Sequence, residues 1–275
     1  MENNYFYPDV NDKITAALIK KEEPCEGCWE KSEKEILTII KQTMREQLKK
    51  TGGLWLFDAG CGTGRLLHEF EAYFDKILAV DPDVKQIDKA ANLAKQQEFA
   101  GKTVFEAVPI EEFNWPRDSI DVILCSHVIQ HVRTENVPRI LNKFGDLIKK
   151  DGLLFIMTTH SSRKTDFFVK DYLNEGEFIE ENIDEEEFNS LVKNDLNVLP
   201  LHFFSLNSIT KELRDSGFAL QDFYSYHILS QSIVLDKVIE RDQIANRSKW
   251  LKSKTGRDML IIGKKIVKQV QTIIP

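Results

Sequence analysis

Cysteine is scarce in this 275-residue chain, with four residues at positions 25, 28, 61 and 125. That is too few for a disulfide scaffold at this length, so reduced thiols are expected. Long apolar runs are missing as well, and none reaches bilayer-spanning length, so no membrane partner is expected. The opening segment, Met1 to Pro8, carries neither the basic nor the apolar region of a signal peptide, and a cytoplasmic location is the expectation. Excess positive charge is also absent: the formal net charge is -7. Whole-surface attraction to a phosphate backbone is thereby excluded, which argues against nucleic acid as a partner and leaves only a local basic patch as a route to it. There is no internal repeat and no low-complexity linker.

What is present suits one large α/β domain with an inserted cap. Leu54 to Phe57, Ile77 to Val80, Thr103 to Phe105, Ile120 to Cys125 and Gly152 to Met157 are short apolar runs that predict buried strands. Between them, Leu66, Leu67, Phe70 and Phe74 recur at helical spacing, Val84 to Phe99 is rich in Ala and Lys, and Ile140, Leu141, Phe144, Leu147 and Ile148 share one helical face. Strands alternating with helices predict βαβ units and a mostly parallel sheet with helices on both faces. After the fifth strand the order changes. Residues 161–205 are acidic and weakly periodic but rich in aromatics, too rich for a simple linker. Regularity returns at Ser205, a plausible N-cap for a helix closed by Gly217. A sixth strand is expected over 218–229, a basic helical stretch over 233–252 and a seventh strand over 258–262.

The strongest chemical signal is Asp58-Ala59-Gly60-Cys61-Gly62-Thr63-Gly64, placed between a strand and a helix. Alternate glycines permit a tight turn and close backbone approach to a ligand, and the helix start beside them offers unpaired N–H groups. A dinucleotide fingerprint needs its third glycine one position later, where this chain has Arg65. A phosphate-binding loop needs Gly-Lys-Ser/Thr, which is absent. Asp81, at the end of the next strand, is placed to accept both hydroxyls of a ribose.

Taken with Ala79-Val80-Asp81, the segment from Asp121 to His131, the segment from Leu147 to Phe155, and Ser216-Gly217-Phe218, this turn resembles the successive motifs of the class I S-adenosylmethionine-dependent methyltransferases. The resemblance covers roughly residues 54–264. It implies a Rossmann-like, seven-stranded sheet whose last strand is antiparallel, with S-adenosylmethionine as cofactor. Asp58, Ala59, Gly60, Cys61, Gly62 and Gly64 are then expected around its methionine and ribose, with Asp81 and Pro82 on the ribose and Cys125 and Ser126 at the site's edge. One position departs from the family pattern. The acid that usually follows the third strand is replaced near Val108 and Pro109, so the adenine is expected on the backbone of Pro109 and Ile110 and on Glu111.

Ligands of open α/β sheets bind beyond the carboxyl ends of the strands, which draws attention to His127, His131 and His160. A histidine there suits proton removal or substrate orientation at neutral pH, and equally suits a plain hydrogen bond to backbone. Phosphoethanolamine methyltransferases, which this segment resembles in layout, pair a histidine matching His131 with an N-terminal tyrosine. Tyr5 or Tyr7 could take that place, with packing of an aromatic arm as the alternative. Cys25 and Cys28 have zinc-knuckle spacing but no second pair, so no metal is expected.

Residues 1–50 are expected to form a helical arm over the cofactor site. Residues 51–160 and 206–275 should form the core, and 161–205 a cap whose Phe203 and Phe204 wall the pocket. The expected activity is in-line methyl transfer to a small-molecule substrate. RNA or protein methylation, and a noncatalytic cofactor-binding partner subunit, are the competing readings. Monomer and homodimer both stay open.

Overall fold

Buried apolar runs and amphipathic helices alternate along the chain as their spacing demands. A computed structural model describes residues 11–22, 27–48, 52–194, 197–227 and 256–266. Two helices come first, α1 (Asn11–Glu22) and α2 (Cys28–Gln47). Then follow β1 (Trp55–Ala59), α3 (Arg65–Phe70), β2 (Lys76–Val80), α4 (Val84–Gln96), β3 (Thr103–Glu106), β4 (Ile120–Ser126), α5 (Val137–Leu147) and β5 (Ile148–Ser161). The chain continues with β6 (Phe167–Asn174), β7 (Glu177–Ile183), α6 (Glu185–Asn194), β8 (Val198–Ser205), α7 (Leu206–Asp215), β9 (Phe218–Tyr226) and β10 (Asp258–Lys265). Tyr5, Tyr7, Cys25 and the expected helix over 233–252 lie outside the described residues.

The expected core sheet is present in the order β3-β2-β1-β4-β5-β10-β9. Its first five strands pair in parallel, and β10 runs antiparallel between β5 and β9. Strand order reverses between β1 and β4, which opens a crevice at the carboxyl ends of those two strands. One face packs on α2, α3 and α4 through residues such as Ile40, Leu67 and Ala90, and the other on α5 and α7 through Phe144 and Leu213. Local signals set the helix ends. Asp83 caps α4 by accepting from the amide of Lys85, and Ser205 caps α7 by accepting from that of Ser208.

The sheet also has three strands beyond the seven expected, all from residues 161–205. Where β10 begins, with Asp258 opposite Thr159, β5 passes to a new partner and pairs with Phe204 and Ser205 of β8. From there β8, β6 and β7 form an antiparallel sheet. Their alternation was masked because acids fill the solvent positions and turn-flanking ones alike.

The aromatics account for how this small sheet is held. On one face Val169, Phe178, Leu199, Leu201 and Phe203 pack with Ile14 and Leu18 of α1. On the other, Phe168 and His202 pack with Phe188 of α6. Phe203 and Phe204, the expected pocket walls, are both buried in packed clusters. Phe203 stacks on Phe167 at 4.6 Å between ring centroids, and Phe204 is part of the main core. Arg257, just before β10, ties the small sheet to the large one. Its guanidinium bonds Asp171 at 3.1 Å and Glu180 at 2.6 Å and lies over the ring of Phe203.

Candidate active site

The turn after β1 is built from its backbone outward. Gly60 and Cys61 donate their amides to the carbonyl of Val80 at 2.8 and 2.9 Å, which locks the turn to the end of β2. Gly60 and Gly62 hold φ of 81° and 52°, in the left-handed region that glycine tolerates. Their surroundings differ. A Cβ on Gly60 would overlap the side chain of Val128, whereas one on Gly62 would have no protein atom within 4 Å. Gly64 caps the start of α3.

Asp81 faces this turn. One carboxylate oxygen accepts from the amide of Gly62 and the other from that of Asp83, each at 3.0 Å. Each oxygen keeps a lone pair for a further donor. Pro82 turns the chain into α4. Alongside, Val108 donates to the carbonyl of Asp81 at 3.1 Å, and Pro109 opens a tight turn that buries Ile110 beside Phe113 and carries Glu111. The structure thus brings the expected turn, Asp81 and the Pro109 segment to one place.

Asp58 sits beneath them, buried with Ala59, and its Oδ2 has no hydrogen-bond partner among the described residues. Burial first, and the nearby charge of Asp81 second, push its carboxyl up to about 7. A buried carboxylate oxygen without a partner among the described residues, an acid offering two acceptor positions and an open glycine cradle fit the ammonium, ribose and carboxylate of an amino-acid nucleoside. The protonation of Asp58 makes the fit testable. A bound cation favours the ionised carboxylate, so binding below the carboxyl's own value must expel a proton. Affinity for S-adenosylhomocysteine is expected to fall by up to about tenfold per pH unit as pH drops from 7 to 5. Asp58→Asn should flatten that slope in calorimetry, and an equally steep slope in the variant would remove Asp58 from the site.

Cys61 and Cys125 line the same region but are buried, and burial pushes both thiols well above their ordinary range. They pack on opposite faces of the sheet, Cys61 with Leu67 and Cys125 with Phe144. Ser126 ends β4 opposite Met157. Among the described residues no group of three or more His, Cys, Asp or Glu side chains could hold a metal ion.

The three expected histidines are placed differently from one another. His127 follows β4 with φ of 54°, a strained value for a residue with a side chain. Both its ring nitrogens are engaged, Nδ1 with Gln130 at 2.9 Å and Nε2 with the hydroxyl of Tyr226 at 3.0 Å. Gln130 in turn accepts from the hydroxyl of Thr158 at 2.9 Å. His131 donates from Nδ1 to the carbonyl of Pro200 in β8 at 3.1 Å, which leaves the lone pair on Nε2. Burial pushes its imidazole down to about 4, so the ring is neutral at physiological pH. His160 lies on the β5 face that carries Ile156. It approaches the carbonyl of Gly256 at 3.3 Å and the ring of Phe223.

Tyr226, His227 and Asp258 were not legible as site residues. Tyr226 ends β9 opposite Asp258, the first residue of β10, and Asp258 faces Thr159. His227 donates from Nδ1 to Asp258 at 2.5 Å and stacks on Trp29 at 3.7 Å between centroids. Nothing local marks these residues, because their partners are 31 to 99 positions away along the chain.

Comparison with known proteins agrees with this geometry. The profile of a methyltransferase domain family matches residues 29–222. Over 120 residues the chain is 28% identical to a ubiquinone biosynthesis O-methyltransferase of Rhodopseudomonas palustris strain BisB5, covering 44% of this chain and 46% of that protein. Over 111 residues it is 30% identical to a carboxy-S-adenosyl-L-methionine synthase of Wolinella succinogenes, covering 39% and 44%. The matched stretch thus spans under half the length of these curated relatives. Among solved structures, a Burkholderia thailandensis 1,6-didemethyltoxoflavin-N1-methyltransferase superposes with a TM-score of 0.56 at 14% identity, covering 95% of this chain and 92% of that one. That protein was solved with 1,6-didemethyltoxoflavin and S-adenosylhomocysteine bound. An S-adenosylmethionine-dependent methyltransferase from Mesorhizobium loti gives 0.53 at 17% identity, covering 82% and 96%. These structural likenesses are of fold.

Proposed function

This chain belongs to the class I S-adenosylmethionine-dependent methyltransferases, and from that premise we propose that it transfers a methyl group, in line, to a small-molecule acceptor bound between the core and the small sheet of residues 161–205. The observation that carries this reading is the bond from His131 to Pro200. It joins the turn after β4 to the small sheet and sets a neutral, half-buried imidazole at their junction. A site set between two sheets in this way suits a small acceptor better than a polymer.

When bound, the cofactor supplies an electrophilic methyl group on a sulfonium. Asp58 would hold its ammonium, and the open backbone at Gly62, with Ala59, Gly60, Cys61 and Gly64 around it, would border its methionine part. Asp81, beside Pro82, would take the ribose hydroxyls. Pro109, Ile110 and Glu111 would border the adenine, and Cys125 and Ser126 the methionine. The protein's work is then positioning and exclusion of water. His131, at the junction of the turn after β4 and the small sheet, would face the acceptor. An imidazole held far below working pH is a weak base, so its role is to orient the acceptor.

His131→Ala is expected to raise the acceptor's KM and lower kcat/KM by about 10- to 100-fold, the loss of one well-placed hydrogen bond or more. Affinity for S-adenosylhomocysteine should stay within twofold, to about 0.4 kcal/mol. Unchanged kcat/KM would detach His131 from the acceptor. The function itself is tested with methyl-labelled S-adenosylmethionine offered to small hydroxyl, amine and thiol compounds, to RNA and to protein. Label in small molecules is the expected result, and label only in RNA or protein overturns the reading.

A further inference from the structure

We propose that His227, held by Asp258, is the group that removes the acceptor's proton, and that the accepting atom is therefore an oxygen or nitrogen carrying hydrogen. This rests on the methyltransferase reading above. The other histidines at the carboxyl edge do not serve. His127 has both nitrogens engaged, His160 lies on another face, and His131 is too weak a base.

His227 has what they lack. Its Nδ1 proton is bound to the Asp258 carboxylate at 2.5 Å, so the lone pair is on Nε2. That Nε2 is buried and has no hydrogen-bond partner among the described residues, in a side chain that is 2% exposed. A buried, unpaired imidazole nitrogen costs free energy unless something binds it. The ring is also fixed in place. Trp29 stacks on it with planes 19° apart, and its backbone amide donates to the hydroxyl of Ser32 at 3.0 Å. Its φ of 48° is strained, like that of His127, and such outliers gather at functional sites.

Asp258 completes the pair. Burial alone would raise its carboxyl, but the hydrogen bond from His227 and the nearby His127, His227 and Arg257 outweigh it, so the carboxylate stays ionised. An ionised partner stabilises the imidazolium that forms when Nε2 takes a proton. The step balances. The O–H or N–H proton goes to Nε2 of His227, and the electron pair it leaves forms the new O–C or N–C bond. The S–C bond breaks with its pair on sulfur, leaving a neutral thioether and an imidazolium paired with Asp258.

The test compares His227→Asn and Asp258→Asn with the wild-type protein. Asparagine tolerates the left-handed backbone at 227, and at 258 it keeps a hydrogen-bond acceptor. Labelled S-adenosylmethionine is offered to the small hydroxyl, amine and thiol compounds across pH, with S-adenosylhomocysteine affinity and thermal melting measured in parallel. Among the described residues, the charged and titratable groups at His227 are Asp258, Tyr226 on β9 and His127 after β4, with Arg257 and His160 beside Asp258 and with Glu33 of α2 and Arg65 of α3 beside His127 and Tyr226.

The expected result is a loss of about 10²- to 10⁴-fold in kcat on hydroxyl or amine acceptors in His227→Asn. At saturating S-adenosylmethionine, the wild-type fall in kcat/KM for the acceptor on acidification should vanish with it, cofactor affinity should hold, and any thiol acceptor, which ionises unaided, should be spared. Asp258→Asn should show the same pattern more weakly. If the wild-type protein methylates a hydroxyl or amine and both variants keep its rate and pH profile, the proposal fails while the methyltransferase reading stands. Equal loss on thiol acceptors also overturns it, since that marks a structural role. If the wild-type protein labels no small molecule, the reading beneath it fails first.

Discussion

Asp81→Ala is expected to weaken S-adenosylhomocysteine binding by about 10²- to 10⁴-fold. The magnitude follows from two hydrogen bonds to a charged acceptor, each worth about 1.5–3 kcal/mol, at 1.4 kcal/mol per tenfold. The structure explains why one residue carries so much. The carboxylate is held between the amides of Gly62 and Asp83, so its free lone pairs are already aimed and little ordering entropy remains to be lost on binding. Asp81→Asn separates the causes. It keeps the shape but turns one acceptor into a donor, and it should recover only part of the affinity. Calorimetry decides: a loss below about threefold, or 0.7 kcal/mol, in Asp81→Ala would mean that the ribose is held elsewhere.

Valine at Gly60 and valine at Gly62 are expected to fail in opposite ways. At both positions a branched residue must adopt a left-handed backbone, costing about 1–2 kcal/mol. Only at Gly60 does the new side chain also meet protein. It would drive into Val128, adding about 1–3 kcal/mol of overpacking. Gly60→Val should therefore lose about 4–20 °C in Tm, at about 2–4 °C per kcal/mol for a chain of this size. Gly62→Val has open space around its Cβ and should lose only about 2–8 °C. Yet Gly62→Val should abolish S-adenosylhomocysteine binding, because its side chain projects where the ligand belongs. Thermal melting with and without ligand reads both effects. A Gly62→Val protein that is stabilised by ligand as well as the wild type would show that the cradle lies elsewhere.

The core was legible because its signals are local. The inner parallel strands are buried on both faces and so read as apolar runs, as in Val122 to Cys125. Helix ends announced themselves through Ser205 and Gly217, whose side chain and φ of 86° do the capping on the spot. The turn from Asp58 to Gly64 and the acid at Asp81 were readable for a related reason. Their spacing is that of one strand–helix–strand unit, so the sequence distance is itself the geometry.

The small sheet was less legible. Its strands β6, β7 and β8 mix acids with aromatics, and only pairing with α1 and α6 shows which positions face inward. That pairing is what buries Phe203 and Phe204.

By itself, then, the sequence determined the α/β core, the cofactor turn and the family, all of which show in local patterns of burial, capping and spacing. The tertiary structure alone decided how the histidines differ. His127, His131 and His160 look alike in the sequence. They part company because Tyr226, Pro200 and Gly256 reach them from distant parts of the chain. His227 and Asp258 became a pair only when β9 and β10 aligned along the sheet's carboxyl edge. A side chain's basicity depends on burial and on its hydrogen-bond partners, and both are properties of the assembled fold.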